Sequence, residues 1–306
     1  MHTSSMTRWR PHVLVAALVA ALAVVAAGCG TSAVAVPELA SFRTVAQKSS
    51  AADSARFSLQ LELTIPGVGK PLAVDAQGGF DTAAKRAQVS FDLSSLAGLL
   101  ESFGSAFGGA TGGGLGSGDW KLEAIRDGDT AYVKFPPMAD QLPAGKTWIK
   151  GDAKTLSSAQ AGQLKQLGSL VGTDPRDVFG LLKAVSGSIT AVGSDEIRGV
   201  ETSHYHATID TAKLTQLVPA AQRQSLGGLD QAAGQAGLTE IPVDVWVDSD
   251  QQVRKISIDV DAKQPGTDVA VKASLVVELY DYGTPLELTL PPADEVVDAA
   301  TLKHTS

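Results

Sequence analysis

The chain contains no asparagine and only one cysteine, Cys29, among its 306 residues. Without asparagine it has no acceptor for N-glycosylation, and its turns depend on glycine, aspartate, proline and serine. With one cysteine it cannot form an internal disulfide, so its fold depends on an apolar core. Aromatic residues are also few, at 5% against 44% for hydrophobic residues as a whole. The core is therefore predicted to consist mainly of valine, leucine, isoleucine and alanine.

Groups for catalysis or metal binding are scarce as well. The chain has no G-x-S-x-G sequence and no serine three residues before a lysine, so no activated serine is indicated. His204 and His206 stand two residues apart and would share one face of a strand, but no H-E-x-x-H sequence or acidic third ligand accompanies them. We expect both to be solvent-facing strand residues. No catalytic residue, metal site or cofactor is predicted, and a hydrolase is the least favoured function.

An apolar run from Val13 to Cys29 follows Arg8 and Arg10 near the start of the chain. A basic flank, a short apolar core and small residues before a cleavage point are typical of a secretory signal, and the run is shorter than the roughly 20 residues of a spanning helix. The Ala-Ala-Gly sequence before Cys29 resembles the lipobox of bacterial lipoproteins, in which the cysteine thiol receives a diacylglycerol and becomes the new N-terminus. We therefore predict a lipoprotein signal peptide over residues 1–28 and a lipidated tether over 29–37. The alternative is an uncleaved signal anchor.

The predicted anchor places the mature protein on the extracytoplasmic face of the cell membrane. Two acyl chains hold a protein to a bilayer for long times, whereas a single chain binds marginally. Removing residues 1–28 takes away two arginines, which leaves 23 basic against 33 acidic residues and a formal charge of −10. An acidic body repels phosphate backbones, so no nucleic-acid partner is predicted, and we expect a monomer.

The mature chain alternates between strand and helix patterns. Apolar and polar residues alternate from Phe57 to Ile65, which predicts a half-buried strand. The turn sequences at Asp127-Gly128 and Asp248-Ser249-Asp250 predict hairpins. The other predicted strands are Leu72–Phe80, Ala87–Leu93, Trp120–Ile125, Thr130–Phe135, Thr147–Lys150, Ile189–Val192, Val200–Ile209, Pro242–Asp248, Val253–Asp261 and Asp268–Tyr280. The predicted helices are one that opens at Pro37-Glu38, then Ser94–Phe107, Leu156–Leu170, Asp174–Val185 and Thr211–Leu238.

These patterns predict one α+β domain over residues 38–306. Long twisted strands in a single antiparallel sheet curl, and the concave face has to be filled, most simply by the amphipathic helices. Residues 292–306 are predicted to be a loose tail. The glycine-rich stretch at 108–118 has no phosphate-binding pattern, and we interpret it as a flexible loop or as a mobile flap beside a ligand entrance.

Two sets of residues give weaker indications of a site. Trp120, Trp148 and Trp246 could stack against sugars, but no cluster of asparagine, glutamine or histidine neighbours them, which favours strand packing. Asp248 and Asp250 begin like a calcium loop, but the glycine that such a loop needs at its sixth position is absent, so we predict a hairpin turn.

Several strand and turn sequences in the C-terminal half of the chain carry a family resemblance. They are Arg198-Gly199-Val200-Glu201-Thr202, His204-Tyr205, Pro242-Val243-Asp244-Val245-Trp246-Val247-Asp248, Val253-Arg254-Lys255, Gly283-Thr284-Pro285 and Pro291-Pro292-Ala293-Asp294-Glu295-Val296, and Tyr132-Val133-Lys134-Phe135-Pro136 and Lys146-Thr147-Trp148 extend the match toward the N-terminus. By these residues the chain resembles the LppX/LprG-type lipoproteins (LppX, LprA, LprF and LprG) of actinobacteria. This resemblance implies a LolA-like fold, a strongly curved antiparallel half-barrel with helices packed in its concave face. It also implies a role in carrying lipids or lipoglycans between membrane layers, and an envelope transporter is a further candidate partner.

A lipid carrier needs a large apolar wall, and the predicted strands and helices supply candidates for one. A ligand with about thirty CH₂ groups forfeits roughly 25 kcal/mol on leaving a bilayer unless its new site is equally dry. The alternative is an ordinary filled core, in which case the chain is an envelope interaction or sensor module that docks another protein. The candidate wall consists of Leu59, Leu61, Leu63, Val89, Phe91, Leu93, Phe103, Phe107, Val245, Val247, Ile256, Ile258, Val260, Val271, Leu275 and Val277.

Overall fold

The computed structural model describes residues 39–64, 70–95, 120–136, 139, 142–152, 179–217, 238–263 and 270–302. Within these residues the chain forms one twelve-stranded sheet and four α-helices. The helices are α1 (Leu39–Ser50), α2 (Phe179–Lys183), α3 (Thr211–Leu217) and α4 (Ala299–Leu302). The strands are β1 (Ser54–Thr64), β2 (Leu72–Asp81), β3 (Arg86–Asp92), β4 (Lys121–Asp127), β5 (Thr130–Lys134), β6 (Trp148–Asp152), β7 (Val185–Ile197), β8 (Val200–Asp210), β9 (Glu240–Asp248), β10 (Val253–Lys263), β11 (Ala270–Tyr280) and β12 (Val296–Asp298).

The sheet joins the strands in the order β12-β6-β5-β4-β3-β2-β1-β11-β10-β9-β8-β7. Most neighbours in this order are also neighbours along the chain, as expected for a run of hairpins. The exception at the centre is the antiparallel pair of β1 and β11, which brings the two ends of the domain together. All described pairs are antiparallel except that of β12 with β6. The predicted α+β class, with one curved and mainly antiparallel sheet, is confirmed.

The main core lies between the sheet and the two helices α1 and α2. Phe42, Val45 and Ala46 form the buried stripe of α1, as their helical spacing predicted. They pack in one cluster with the buried face of α2 and with the inward-facing residues of β1 and β7 to β11. The Ser49 hydroxyl also accepts a hydrogen bond from the backbone N–H of Val253 at 2.9 Å, which ties the end of α1 to the start of β10. We call this the helix-covered face of the sheet and the opposite face the outer face.

The two predicted hairpin turns are confirmed. Gly128 has φ of +63°, a conformation that glycine adopts without strain, between β4 and β5. In the β9–β10 turn one Asp248 oxygen accepts the backbone N–H groups of Asp250 and Gln252 at 3.0 and 2.9 Å. The other Asp248 oxygen accepts a hydrogen bond from Arg254 at 2.5 Å. This carboxylate therefore builds the turn, as the sequence indicated.

The prediction of a loose tail over residues 292–306 is wrong for the described part, up to residue 302. Val297 in β12 lies opposite Ile149 of β6 in a parallel pair. Both are buried, and they form a small second cluster with Ala131. The backbone N–H of Thr147 donates to the Glu295 carbonyl at 2.9 Å and fixes the approach to the pair. The physical reason is that the edge of β6 offers unpaired backbone groups and an apolar contact, which β12 covers. A strand of only three residues has too short a pattern to be recognised from the sequence.

Several element boundaries also differ from the predictions. The strand predicted at 189–192 extends over the whole of β7, and Val185, predicted as the end of a helix, already belongs to that strand. The helix predicted from Thr211 to Leu238 is described only as far as Leu217. The glycine-rich stretch at 108–118 and the helix predicted at 156–170 lie outside the described residues.

Residues 284–292 form an extended segment, here called the C-terminal strap, which crosses the outer face between β11 and β12. Leu286 is its anchor, with only 3% of its surface exposed. A Cβ on Gly79 of β2 would lie 2.9 Å from the Leu286 side chain and 3.2 Å from the Ala55 carbonyl, so the strap fits against the sheet because residue 79 is glycine.

Candidate functional site

The candidate site is the helix-covered face of the three central strands. On β1 and β11 the register places Leu59 opposite Val277 and Leu61 opposite Leu275. The row continues into β10, where Ile258 lies opposite Leu275. Because side chains of alternate residues share a face, these residues form one continuous apolar surface.

Burial falls along this surface from one end to the other. Phe57 is 7% exposed and Leu279 is 1% exposed where α1 and α2 cover the sheet. Two residues further along β1, Leu59 is half-buried, and Leu61 is 38% exposed. Its neighbour Leu275 is also half-buried. The apolar surface is therefore sealed at the helix end and accessible at the other, so part of it stays unburied at a cost of about 25 cal/mol per Å².

The candidate wall residues fall into three groups. The first group is buried in the packed core: Val245, Val247, Ile256, Ile258 and Val277. The second group is half-buried or exposed: Leu59, Leu61, Leu63, Val89, Phe91, Leu93, Val260 and Leu275. Phe103, Phe107 and the predicted attachment residue Cys29 lie outside the described residues, as does the side chain of Val271 in β11.

Two residues of the same surface were missed by the sequence analysis. Val74 lies opposite Leu61 across the β1–β2 pair, and Leu72 lies opposite Leu63. Both are half-buried. Their signal was present, because Leu72, Val74 and Ala76 alternate along a predicted strand. The sequence alone did not show that this strand continues the wall of β1.

The histidines lie on the outer face, in a cluster with residues of neighbouring strands. His204 Nε2 is 2.9 Å from an Asp244 oxygen, and the imidazole stacks on the Trp246 ring at 4.1 Å between centroids. The Trp246 indole N–H donates to Asp195 at 2.8 Å. The side chain of His204 is consequently only 15% exposed, whereas that of His206 is 47% exposed. The prediction of a solvent-facing residue thus holds for His206 and is wrong for His204, because β9 supplies a covering indole.

Metal ligation finds no support in the part of the chain that the structure describes. Across that part, no three histidine, cysteine, aspartate or glutamate side chains are grouped so that they could hold an ion. None of the helices in the same residues is long and apolar enough to cross a membrane.

Comparison with known sequences gives a partial match. No protein-family model matches it. It is 27% identical over 183 residues to an uncharacterized 31.2 kDa protein of Streptomyces griseus from the rplA-rplJ intergenic region, a stretch that covers 59% of this chain and 57% of that relative. The chain thus spans little more than half the length of this relative.

Comparison with solved structures gives further similarities. The chain is similar to LppX and LprF. The Mycobacterium tuberculosis lipoprotein LppX is 16% identical with a TM-score of 0.42, over 82% of this chain and 97% of LppX. LprF of Mycobacterium bovis is 15% identical with a TM-score of 0.41, over 84% of this chain and 99% of LprF. A LolA superfamily protein of Nitrosomonas europaea is 9% identical with a TM-score of 0.22, over 82% and 95% of the two chains.

Proposed function

We propose that this protein is a lipid-anchored lipoprotein of the cell envelope that binds the acyl chains of a lipid or lipoglycan and transfers them without catalysing a reaction. The observation that carries the proposal is the fall in burial along the helix-covered face, which leaves Leu61 38% exposed inside an apolar row. A soluble domain rarely leaves the middle of an inward-facing row accessible unless something else covers it. Acyl chains match the chemistry of this surface, which has leucine, valine, isoleucine and alanine side chains.

The energetics of transfer require a wall of this extent. Each CH₂ moved from a bilayer into water costs about 0.8 kcal/mol, so a carrier that loads and unloads needs a site nearly as dry as the membrane. The accessible part of the wall combines Leu59, Leu61, Leu63, Leu275 and Val260 on adjacent strands, and Val74 and Leu72 extend it into β2.

The anchor completes the proposal. Residues 1–28 would be the signal peptide, Cys29 the lipid attachment site, 29–37 the tether, and 38–306 the lipid-binding domain. A tether of this length reaches at most about 25–30 Å when fully extended, because each residue spans roughly 3.3 Å. The domain would therefore stay within reach of one membrane face on the extracytoplasmic side, and loading would take place there.

A second function is favoured by the buried group of wall residues. Val245, Val247 and Ile256 pack tightly in the core with α1 and α2, as a filled module would. In this alternative the accessible leucines dock another envelope protein, such as a transporter, and the domain carries no lipid.

Mass spectrometry of bound lipid tests the two against each other. The full chain is purified from its native membranes and extracted with organic solvent, which releases noncovalent lipid and leaves the anchor attached to the protein. We expect roughly one lipid per chain. Leu275→Trp fills the accessible part of the wall and should lower the yield at least several-fold, at a cost of about 1–3 kcal/mol in stability.

The matched control is Ser274→Trp, at the next residue of β11, whose side chain points to the outer face. It adds the same indole on the same strand and should leave lipid loading unchanged. Circular dichroism establishes that both variants are folded. Wild-type protein that is empty after exposure to native envelope lipids, or equal loading of the two variants, would exclude the carrier function and favour the docking module.

A further inference from the structure

A groove of about 460 Å³ lies on the outer face, on the opposite side of the sheet from the apolar wall. The C-terminal strap forms one side of it, with Leu290, Pro291 and Pro292. Its size falls in the usual range of roughly 300–1,000 Å³ for small-molecule sites. We propose that this groove binds a neutral carbohydrate. This is a second site, and it does not depend on the lipid-binding function.

The floor of the groove is built by strand register. Gln77 of β2 lies opposite Ser90 of β3, and Ser90 lies opposite Glu123 of β4. Two residues before Ser90 on β3, Gln88 lies opposite Ile125 of β4. Gln77, Gln88 and Ser90 occupy alternate positions that all point to the outer face. Two carboxamides and a hydroxyl therefore lie side by side on the floor of the groove.

These three polar groups are available to a ligand. Among the described residues, none of the side chains of Gln77, Gln88 and Ser90 has a hydrogen-bond partner. Each carboxamide offers two N–H donors and a carbonyl acceptor within a single planar group. Adjacent sugar hydroxyls present donors and acceptors at the same spacing, so a carboxamide can bind two of them at once.

Aromatic and apolar side chains complete the lining. Tyr280 and Trp148 both border the groove, and Leu290 on the strap is 45% exposed. Trp148 contributes little surface, because it is 6% exposed and Lys134 Nζ lies 5.7 Å from its ring centroid. The Tyr280 ring is held in place by Arg198, whose guanidinium lies 4.0 Å from the ring centroid. Aromatic and proline surfaces pack against the C–H faces of sugars, whereas the polar floor binds their hydroxyls. Combining both kinds of surface in one groove is a feature of carbohydrate sites.

The charges at the groove are compensated, which favours an uncharged ligand. Arg56 pairs with Asp281 at 3.5 Å, and Glu123 pairs with Lys134 at 3.7 Å. A phosphorylated or nucleotide ligand would require an excess of basic groups here, and the lining has one arginine and one glutamate.

The structure also supplies what the sequence lacked around Trp148. Packing within the sheet was the interpretation favoured for Trp148, and its exposure of only 6% confirms it, although Trp148 also borders the groove. Across the sheet, the strap and the registers of β2 to β4 bring Gln77 and Gln88 to the same groove. The aromatic ring of Tyr280 and the hydrogen-bonding groups of Gln77 and Gln88 therefore come from segments far apart in sequence.

Isothermal titration calorimetry of the full chain, in a zwitterionic detergent without a sugar head group, tests the inference. The probes are mannotetraose, maltotetraose, cellotetraose and N-acetylchitotetraose. At least one should bind with a Kd of about 0.1–1 mM, and Gln77→Ala with Gln88→Ala should weaken it at least about tenfold, or 1.4 kcal/mol. Gln60→Ala is the matched control, because Gln60 is an exposed glutamine on the outer face of β1 outside the groove. It should leave the Kd unchanged.

The salt dependence of binding also tests the inference. Raising the salt concentration from about 50 mM to about 500 mM should leave the Kd unchanged, since screening weakens only charged recognition. A loss of affinity with salt would indicate ionic recognition and overturn the inference. No binding of any probe at about 10 mM would overturn the inference as well. Equal affinities of the protein that carries Gln77→Ala and Gln88→Ala and of the Gln60→Ala control would also overturn it. Lipid content measured on the same samples keeps this result separate from the lipid-binding test.

Discussion

Tyr282, just after β11, links the end of that strand to the start of β10. Its hydroxyl donates to the Val253 carbonyl at 2.6 Å, and the Arg254 guanidinium lies 4.9 Å from its ring centroid. Burial raises the pKa of Tyr282 above the usual tyrosine value, since the phenolate would lose its hydration. Folding therefore stabilises the neutral form of the Tyr282 side chain relative to the phenolate.

Replacing Tyr282 by phenylalanine should lower the free energy of unfolding by about 1 kcal/mol near pH 7.5, because one hydrogen bond to a buried carbonyl is lost. The folded pKa is raised, so the contribution of the phenol is fully present below the unfolded pKa of about 10 and declines as pH rises above it. The difference between wild type and Tyr282→Phe should shrink from pH 9 to about pH 11.

Urea unfolding at each pH measures this difference, and Tyr132→Phe on β5 corrects for the general effect of removing a tyrosine hydroxyl. A difference that stays constant or grows with pH would show that the buried phenol does not carry this stability.

At the scale of elements, the strap and β12 close the sheet edge at β6. The strap passes Gly79 at Leu286, and β12 then pairs with β6 through Val297 and Ile149. Neither element has a strong local signal, since residues 284–292 have no repeating pattern and β12 has three residues. Their positions are determined by what they cover.

Ending the chain after Pro292 should therefore destabilise the fold. It removes the buried Val297 side chain, worth about 1.5–3 kcal/mol, and frees the edge of β6 for pairing with other chains. We expect a lower unfolding midpoint in urea and more aggregation by light scattering. Ending the chain after Leu302 retains β12 and α4 and is the control. Equal midpoints for the two truncations would show that β12 contributes nothing to stability.

At the scale of the whole molecule, the anchor and the two faces of the sheet give the protein its proposed organisation. The helix-covered face is apolar and partly accessible, and the outer face holds a polar groove beneath the strap. One face is suited to acyl chains and the other to a sugar. Attachment at Cys29 would keep both close to a membrane.

Intact-mass analysis of the chain expressed in its native envelope tests the anchor. The wild type should begin at Cys29 and carry the mass of a thiol-linked diacylglycerol. Cys29→Ser should lack this mass and keep residues 1–28, because the acceptor thiol is gone. Wild-type protein recovered without lipid, or cleaved at another residue, would refute the assignment of Cys29.

The candidate site could be predicted in part. The alternation of Leu59, Leu61 and Leu63 gave their common face, since the strand period is local. It could not show that Ile256 would be sealed by α1 and α2 while Leu61 stays accessible, because burial depends on which helix covers which row. Val74 was missed for the same reason, as its place opposite Leu61 is a property of the β1–β2 pair.

The sequence by itself determined the α+β class, the hairpins at Gly128 and Asp248, and the face of each strand residue, because turn chemistry and side-chain alternation act over a few neighbouring residues. Only the tertiary structure decided the burial of His204, the pairing of β12 with β6 and the meeting of Gln77 with Trp148 at one groove. Each of these joins residues far apart along the chain, and such contacts are fixed by strand register and by the surfaces left uncovered when the sheet curls.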